Sequence, residues 1–293
     1  MLMKGVILAA GYGTRFLPAT KTIPKEMFPL VDTPVVELII KEMTDAGIND
    51  ILVVTSRRKK PLEDYFDREV ELEVTFTGEG VVEKLRLIDP VDANVFFIRQ
   101  KHMAGTGDAL LLTEPFVGDS PFVVAYPDDI LINGPSLSGQ LIEVYQKTGC
   151  TVLAVQDFPQ GDISRYGVVD TGPPKGGVEY VKKVVEKPPM GTEPSRLVTY
   201  GRYLYSPEIF SALKEEQSRF IGDHEFTQTD AINLLAAQDK VVVKRFDGHL
   251  LDVGSPNGYM QAVVEYGLSR PDLRPGLLPF LREIMKREDK SNP

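Results

Sequence analysis

The sequence predicts an α/β fold, a mixed, mainly parallel sheet flanked by helices with antiparallel elaborations in its second half. Three observations predict it. Strand, loop, helix and strand follow one another within the first 55 residues. Short apolar runs then keep alternating with helical patterns as far as residue 155. From about Tyr166 the style changes to short strands joined by Pro- and Gly-rich turns.

The first strand is the β-rich run at residues 5–10, and the second is at 51–55. Between them, Val35, Val36, Ile39, Ile40 and Met43 recur at helical spacing, with Pro34 suited to a first helical position and Gly47 to a C′ stop. A strand, helix and strand in so short a stretch form a parallel unit. Runs at 95–98, 122–125 and 152–155 add strands, and residues 107–112 start a helix. In the second half, residues 167–170 and 178–185 flank TGPPKGG, the loop of a long hairpin. A short strand at 202–205, helices at 208–213 and 229–237, and a strand at 241–246 lead to Leu250-Leu-Asp-Val-Gly254. From about Arg270, Leu277, Leu278, Phe280, Leu281 and Ile284 offer a packing face before a polar tail. No internal repeat or long linker divides the chain, so residues 1–293 read as a single domain.

Composition narrows the function. The chain has 293 residues, 42% hydrophobic and 26% charged, which excludes disordered, collagenous and coiled-coil classes. Its net charge of −9 makes it a poor partner for nucleic acid or an anionic membrane. The basic run at 57–60 reads as a solvated loop or helix start. The one cysteine, Cys150, forbids an intrachain disulfide and a Cys-based zinc site, and fits a reducing cytoplasm. Cys150 itself reads as a small core or helix-end hydrophobe. Lys4 and the early glycines make the N-terminus a buried strand and not a signal peptide. No stretch approaches the roughly 18 apolar residues of a membrane helix. His102, His224 and His249 are scattered without the i, i+4 spacing of a zinc site.

The chemistry concentrates after the first strand. Ala9-Ala-Gly-Tyr-Gly-Thr-Arg15 lets backbone N–H groups approach a phosphate, and Arg15 adds a bidentate charge. Phe16 breaks the dinucleotide-binding G-x-G-x-x-G pattern, and no Gly-Lys-Ser/Thr closes a Walker loop. The next stretch carries Pro18, Lys21, Pro24, Lys25 and Pro29, an irregular connection anchored by Met27 and Phe28. So long a loop is uncommon unless it covers a ligand. With Arg15, Lys21 and Lys25 it is a positive island on an acidic protein, suited to a triphosphate. Tyr12 lines this loop or stands exposed on it.

The run AAGYGTRFLPATKTIPKEMFPLVDTP at 9–34 closely resembles the N-terminal signature of the bacterial UTP–glucose-1-phosphate uridylyltransferases, within the sugar-nucleotidyltransferase superfamily. Further matches are Arg99-Gln100 with Gly105-Thr-Gly107, Pro127-Asp-Asp129, Tyr166-Gly-Val-Val169, Val184-Val-Glu-Lys-Pro188, Gly201-Arg-Tyr203, and Asp252-Val-Gly254 with Gly258-Tyr259. They cover about residues 4–267. The resemblance implies a Rossmann-like fold of the nucleotide-diphospho-sugar transferase type. Its nucleotide-binding half is about 1–150, its sugar-binding half about 151–267, and a helical tail follows at 268–293. It implies UTP and glucose 1-phosphate as substrates, Mg²⁺ as cofactor and a homodimer or homotetramer.

The reaction implied is in-line displacement at the α-phosphorus. A sugar phosphate has a second pKa of about 6, so near pH 7 it attacks without a general base. What the reaction needs is charge neutralisation and held geometry. By resemblance, Arg15 and Lys25 place the triphosphate and offset charge on the leaving pyrophosphate. The backbone at Ala9, Ala10 and Gly11 recognises the base, with Gln100 and Gly105 completing the uracil site, and Gly13 and Thr14 belong to the same nucleotide loop. Asp128 and Asp252 hold the metal, with Asp129 a supporting or capping residue. Gly167 and Glu186 meet the hexose, and Lys187 clamps the sugar phosphate. Thr229 or Asp230 reads as a helix N-cap, with a place at the sugar pocket as the second reading.

Two departures stand out. The family usually has His after the Gly-x-Gly of the base loop, where this chain has Asp108. Residues 69–80 match little and suggest a divergent surface excursion. The residues leave open dTTP or another hexose 1-phosphate as substrate, a sugar-nucleotide-dependent glycosyltransferase, and a non-catalytic sugar-nucleotide-binding regulator.

Overall fold

Strand β1 (Lys4–Leu8) runs down the middle of a nine-stranded mixed sheet in a computed structural model that describes residues 3–158, 160–222 and 225–291. Two-residue strands β2 (Pro29–Leu30) and β3 (Thr33–Pro34) form a small ribbon before helix α1 (Val35–Asp45). Strands β4 (Asp50–Thr55), β5 (Asn94–Arg99) and β6 (Phe122–Ala125) lie parallel around β1 in the order β6-β1-β4-β5. The crossovers hold α2 (Lys60–Tyr65), α3 (Val70–Glu79), α4 (Val82–Leu87), α5 (Thr106–Leu111) and α6 (Glu114–Val117). Helix α3 buries none of its residues, the surface excursion that the sequence suggested.

After β7 (Asp129–Ile132) and α7 (Leu137–Thr148), strand β8 (Thr151–Asp157) enters the same sheet. Strands β9 (Gly167–Thr171) and β10 (Val181–Glu186) form the expected antiparallel hairpin. Strand β11 (Leu197–Tyr205) pairs antiparallel with β8, with β9 at 198–199 and with β6 at 202–205. It is the seam between the two halves of the sheet. All nine of its residues are buried, so it lacks the polar alternation that marks a strand end, and the sequence shows only its last four residues. Helices α8 (Glu208–Arg219) and α9 (Thr229–Ala236) precede β12 (Val241–Arg245). That strand pairs parallel with β8, an exception to the antiparallel second half.

Strand β13 (His249–Asp252) leaves the sheet and pairs with β7, setting Asp252 opposite Asp129. Helices α10 (Pro256–Ser269) and α11 (Arg274–Ser291) end the described chain. Leu277, Leu278, Leu281 and Ile284 of α11 are half-buried, whereas Phe280 is exposed.

Cβ atoms alternate along each strand, so the sheet feeds two cores. Ile7, Val53 and Val123 join Ile39 and Ile40 of α1 and Leu137 and Leu141 of α7. Val6, Leu52 and Val124 join Leu110 of α5, Ile209 of α8 and Ile232 of α9. The parallel strands are thus apolar on both faces, and their C-terminal ends open where neither helical layer reaches.

Candidate active site

A cavity of about 430 Å³ sits at those strand ends, lined by Ala10, Gly11, Tyr12, Gly13, Thr14, Lys25, Gln100, Gly105 and Asp128 together with Glu26, Thr106 and Tyr126. Most of the predicted nucleotide residues meet here. Tyr12 both lines the cavity and is exposed, so the two readings of it coincide. Ala9 stays in the sheet, its N–H donating to the Val54 carbonyl at 2.9 Å, and it is no free donor for a base. Gly13 turns the chain at a φ of 65°, a left-handed conformation that suits glycine, and enters a single 3₁₀ turn at Thr14–Phe16. Phe16, buried, packs edge-on to Phe28 and Tyr259 at centroid distances of 5.1 and 6.0 Å. This aromatic cluster fixes both ends of the positive loop.

The charged groups are paired across it. Lys25 Nζ meets Asp128 Oδ1. Arg15 reaches the other wall, donating to the Gly254 carbonyl at 3.2 Å. Asp252 Oδ1 accepts the Gly254 N–H at 2.8 Å, and Arg165 approaches Asp252 Oδ2 at 3.4 Å. A Cβ added to Gly254 would lie 3.1 Å from both Asp128 Oδ2 and Asp252 Oδ1. The two carboxylates therefore face one small space that the missing side chain leaves open. Among the described residues no group of three His, Cys, Asp or Glu side chains is placed to hold a metal. The pair is instead two hard oxygen donors, the set suited to a Mg²⁺ that keeps its remaining positions for water and phosphate.

Asp129 is turned away from this space. It is half-buried, and its Oδ2 accepts the Gly201 N–H at 2.7 Å, so it braces the strand end. Burial pushes its carboxyl up to about 7, with Asp128 and Asp252 adding to the effect. Arg202, fully buried, donates to Glu42 at 3.0 and 2.5 Å and to the Asp129 carbonyl at 3.3 Å.

The loop at 104–108 is held from behind. Phe226 N–H donates to the Ala104 carbonyl at 2.8 Å, and Gly107 N–H to the Phe226 carbonyl at 2.9 Å. Gly105 sits at a φ of 117°, where a Cβ would fall 2.2 Å from the Phe226 carbonyl oxygen, so no other residue fits. Gln100 donates from Nε2 to the Gly105 carbonyl at 3.1 Å and to Asp108 Oδ2 at 2.8 Å.

Gly167, Glu186 and Lys187 lie beyond the cavity lining, where Gly167 and Glu186 are register partners in the β9–β10 hairpin. Lys187 has a φ of 44° and donates its N–H to the Tyr166 carbonyl at 3.1 Å. That conformation is strained for a non-glycine, more so before Pro188. Thr229 is the first residue of α9 and makes no cap. Its hydroxyl donates to Glu186 Oε2 at 3.4 Å, while Asp230 is exposed. Gln228 takes the N-cap position, without a side-chain cap bond.

Sequence reasoning missed a buried pair under the loop. Lys59, one of the four basic residues at 57–60, is buried and meets Glu26 Oε1 at 2.6 Å, while Arg57, Arg58 and Lys60 are exposed. Burial lowers the Lys59 pKa and the Glu26 carboxylate opposes that shift. Glu26 Oε2 is buried without a partner among the described residues. Lys21 is exposed and lies outside the cavity lining. Cys150 follows the last turn of α7 and is half-buried. His249 pairs with Glu265, His102 is exposed, and His224 lies outside the described residues.

Residues 4–267 match the nucleotidyl transferase family. A UTP–glucose-1-phosphate uridylyltransferase of Bacillus subtilis is 41% identical over 289 residues, covering 98% of this chain and 97% of its own. The UTP-bound UGPase from Acinetobacter baumannii superposes with a TM-score of 0.85 at 35% identity, over 97% of this chain and 99% of that one. A UDP-glucose pyrophosphorylase complexed with UDP-glucose superposes with a TM-score of 0.80 at 36% identity, over 92% and 100%.

Proposed function

Because the chain belongs to the nucleotidyl transferase family and, within it, to the UTP–glucose-1-phosphate uridylyltransferases, we propose that its cleft joins UTP to glucose 1-phosphate, giving UDP-glucose and pyrophosphate. The observation that carries the site assignment is the meeting of Lys25, Asp128, Arg15 and Asp252 around the space beside Gly254. A glycosyltransferase that holds its metal with Asp128 and Asp129 does not need the triphosphate loop that brings Arg15 and Lys25 to this space.

The sugar phosphate oxygen forms the new bond to the α-phosphorus as the bond to the bridging oxygen of pyrophosphate breaks. No proton has to move, because the attacking phosphate is already a dianion. The backbone of Ala10 and Gly11 holds the uracil together with Gln100 and Gly105, and the N–H groups of the rest of the loop hold the triphosphate. Lys25 and Arg15 balance charge that builds on the leaving pyrophosphate. Lys187 clamps the sugar phosphate, and Gly167 and Glu186 hold the hexose hydroxyls. Asp128 and Asp252 would hold Mg²⁺, which when bound offsets the phosphate charges that repel each other.

One domain performs both halves of the task, nucleotide binding in residues 1–150 and sugar binding in 151–267, with the tail at 268–293. Among the described residues no helix is long and apolar enough to cross a membrane, in keeping with a cytoplasmic enzyme. Its substrates are small molecules, and neither nucleic acid nor a membrane takes part. It assembles as a homodimer or homotetramer, which light scattering reads directly.

Mass spectrometry of the products tests the reaction. With UTP, glucose 1-phosphate and Mg²⁺ the chain should form UDP-glucose and pyrophosphate in equal amounts, and a chelator should stop it. Formation of UDP with transfer of the sugar to an acceptor would contradict it. Lys187→Ala should raise the KM for glucose 1-phosphate about ten- to hundredfold, the worth of one charged hydrogen bond, with the KM for UTP little changed. A defect confined to UTP would contradict the assigned role.

A further inference from the structure

We infer that Asp108 is a specificity-determining positioning residue, which locks the Gln100 amide so that the cleft accepts a base carrying a ring N–H. Gln100 is 5% exposed and lines the cavity at the end of β5. Its amide has one acceptor oxygen and one NH₂ group with two hydrogens. Its nitrogen donates to the Gly105 carbonyl at 3.1 Å and to Asp108 Oδ2 at 2.8 Å. Both are acceptors, so turning the amide over would set oxygen against oxygen twice. The Gly105 carbonyl is itself fixed, because Ala104 and Gly107 are bonded to Phe226. Both N–H groups are therefore committed, and Gln100 offers a ligand only Oε1.

An acceptor-only reader placed at N3 discriminates between pyrimidines. Uracil and thymine carry a hydrogen on N3 that Oε1 accepts. Cytosine has a lone pair at N3, and reading it needs the amide nitrogen that Asp108 holds back. Without Asp108, one of the two bonds that set the orientation is gone, and a flipped amide loses only the Gly105 contact. The inference rests on the proposed placing of the uracil at Gln100.

Steady-state kinetics with UTP and with CTP, glucose 1-phosphate being held saturating, test this on wild type, Asp108→Ala and Asp108→Asn. Asp108 is half-buried, and alanine fits its place on α5. Asp108→Ala should lower the UTP-to-CTP ratio of kcat/KM by about tenfold or more. Asp108→Asn keeps the volume but can turn its NH₂ as readily as its oxygen towards Gln100, so it too should lower the ratio, towards that of Asp108→Ala. A purely structural loss would lower both substrates together. An unchanged ratio in Asp108→Ala, in a wild type that prefers UTP, would overturn the inference and leave the proposed function standing. A wild type that prefers CTP would overturn both.

Discussion

Asp128→Asn should lower the rate of pyrophosphate release by about 10²- to 10³-fold, the scale of removing one group that stabilises transition-state charge. It should leave the thermal midpoint within about 2 °C of wild type. The substitution keeps the side chain's volume. It also keeps the backbone contact by which the Asp128 carbonyl accepts the Val253 N–H at 2.8 Å. What it removes is one of the two charges facing the space beside Gly254, and the partner of Lys25. The Asp128 side chain is 32% exposed, so its ion pair contributes little to folding. Removing a charge that faces Asp252 offsets part of that small loss. A single-turnover assay and a melting curve on the same preparation separate the two effects. A rate within about threefold of wild type would take Asp128 out of the reacting centre.

Arg202→Met should destabilise the protein by about 3–5 kcal/mol, because it leaves a carboxylate uncompensated in the interior. Glu42 lies on α1, and its Oε2 takes both nitrogens of the Arg202 fork. Its Oε1 accepts the Ser138 N–H at 2.6 Å in the first turn of α7. One ion pair thus ties α1, α7 and β11 together beneath the β6–β7 corner that carries Asp128. For a chain of this size the loss should lower the thermal midpoint by on the order of 10 °C. Adding Glu42→Gln removes the stranded charge and should recover most of it. Denaturant titration reads both values, and a single variant within about 1 kcal/mol of wild type would show that the pair is not what holds this corner.

The elements that were legible in the sequence are those whose signal is local. The run at 5–10, the Pro34 and Gly47 boundaries of α1 and the TGPPKGG hairpin loop each announce themselves within a few residues. So do the glycines and Arg15 of the loop that lines the cavity. What was not legible depends on pairing at long range. Strand β11 shows only part of itself because burial on both faces removes its alternation. Strand β12 is parallel because it pairs with β8, about 90 residues earlier, and nothing in its own run fixes direction. Lys59 looks like its solvated neighbours until Glu26 is found beneath it. Thr229 resembles an N-cap by residue type, and only the nearby Glu186 gives its hydroxyl another use. The same holds at the base loop, where Asp108 departs from the family pattern and its consequence depends on the direction in which Gln100 points.

The central claim is that this cleft selects UTP and passes its uridylyl group to glucose 1-phosphate. The most direct test is pyrophosphate release from glucose 1-phosphate with each of UTP, dTTP, CTP, ATP and GTP, with and without Mg²⁺. The account predicts strong release with UTP that disappears without the metal. Release with another triphosphate and not with UTP, or none with any of the five, would contradict it.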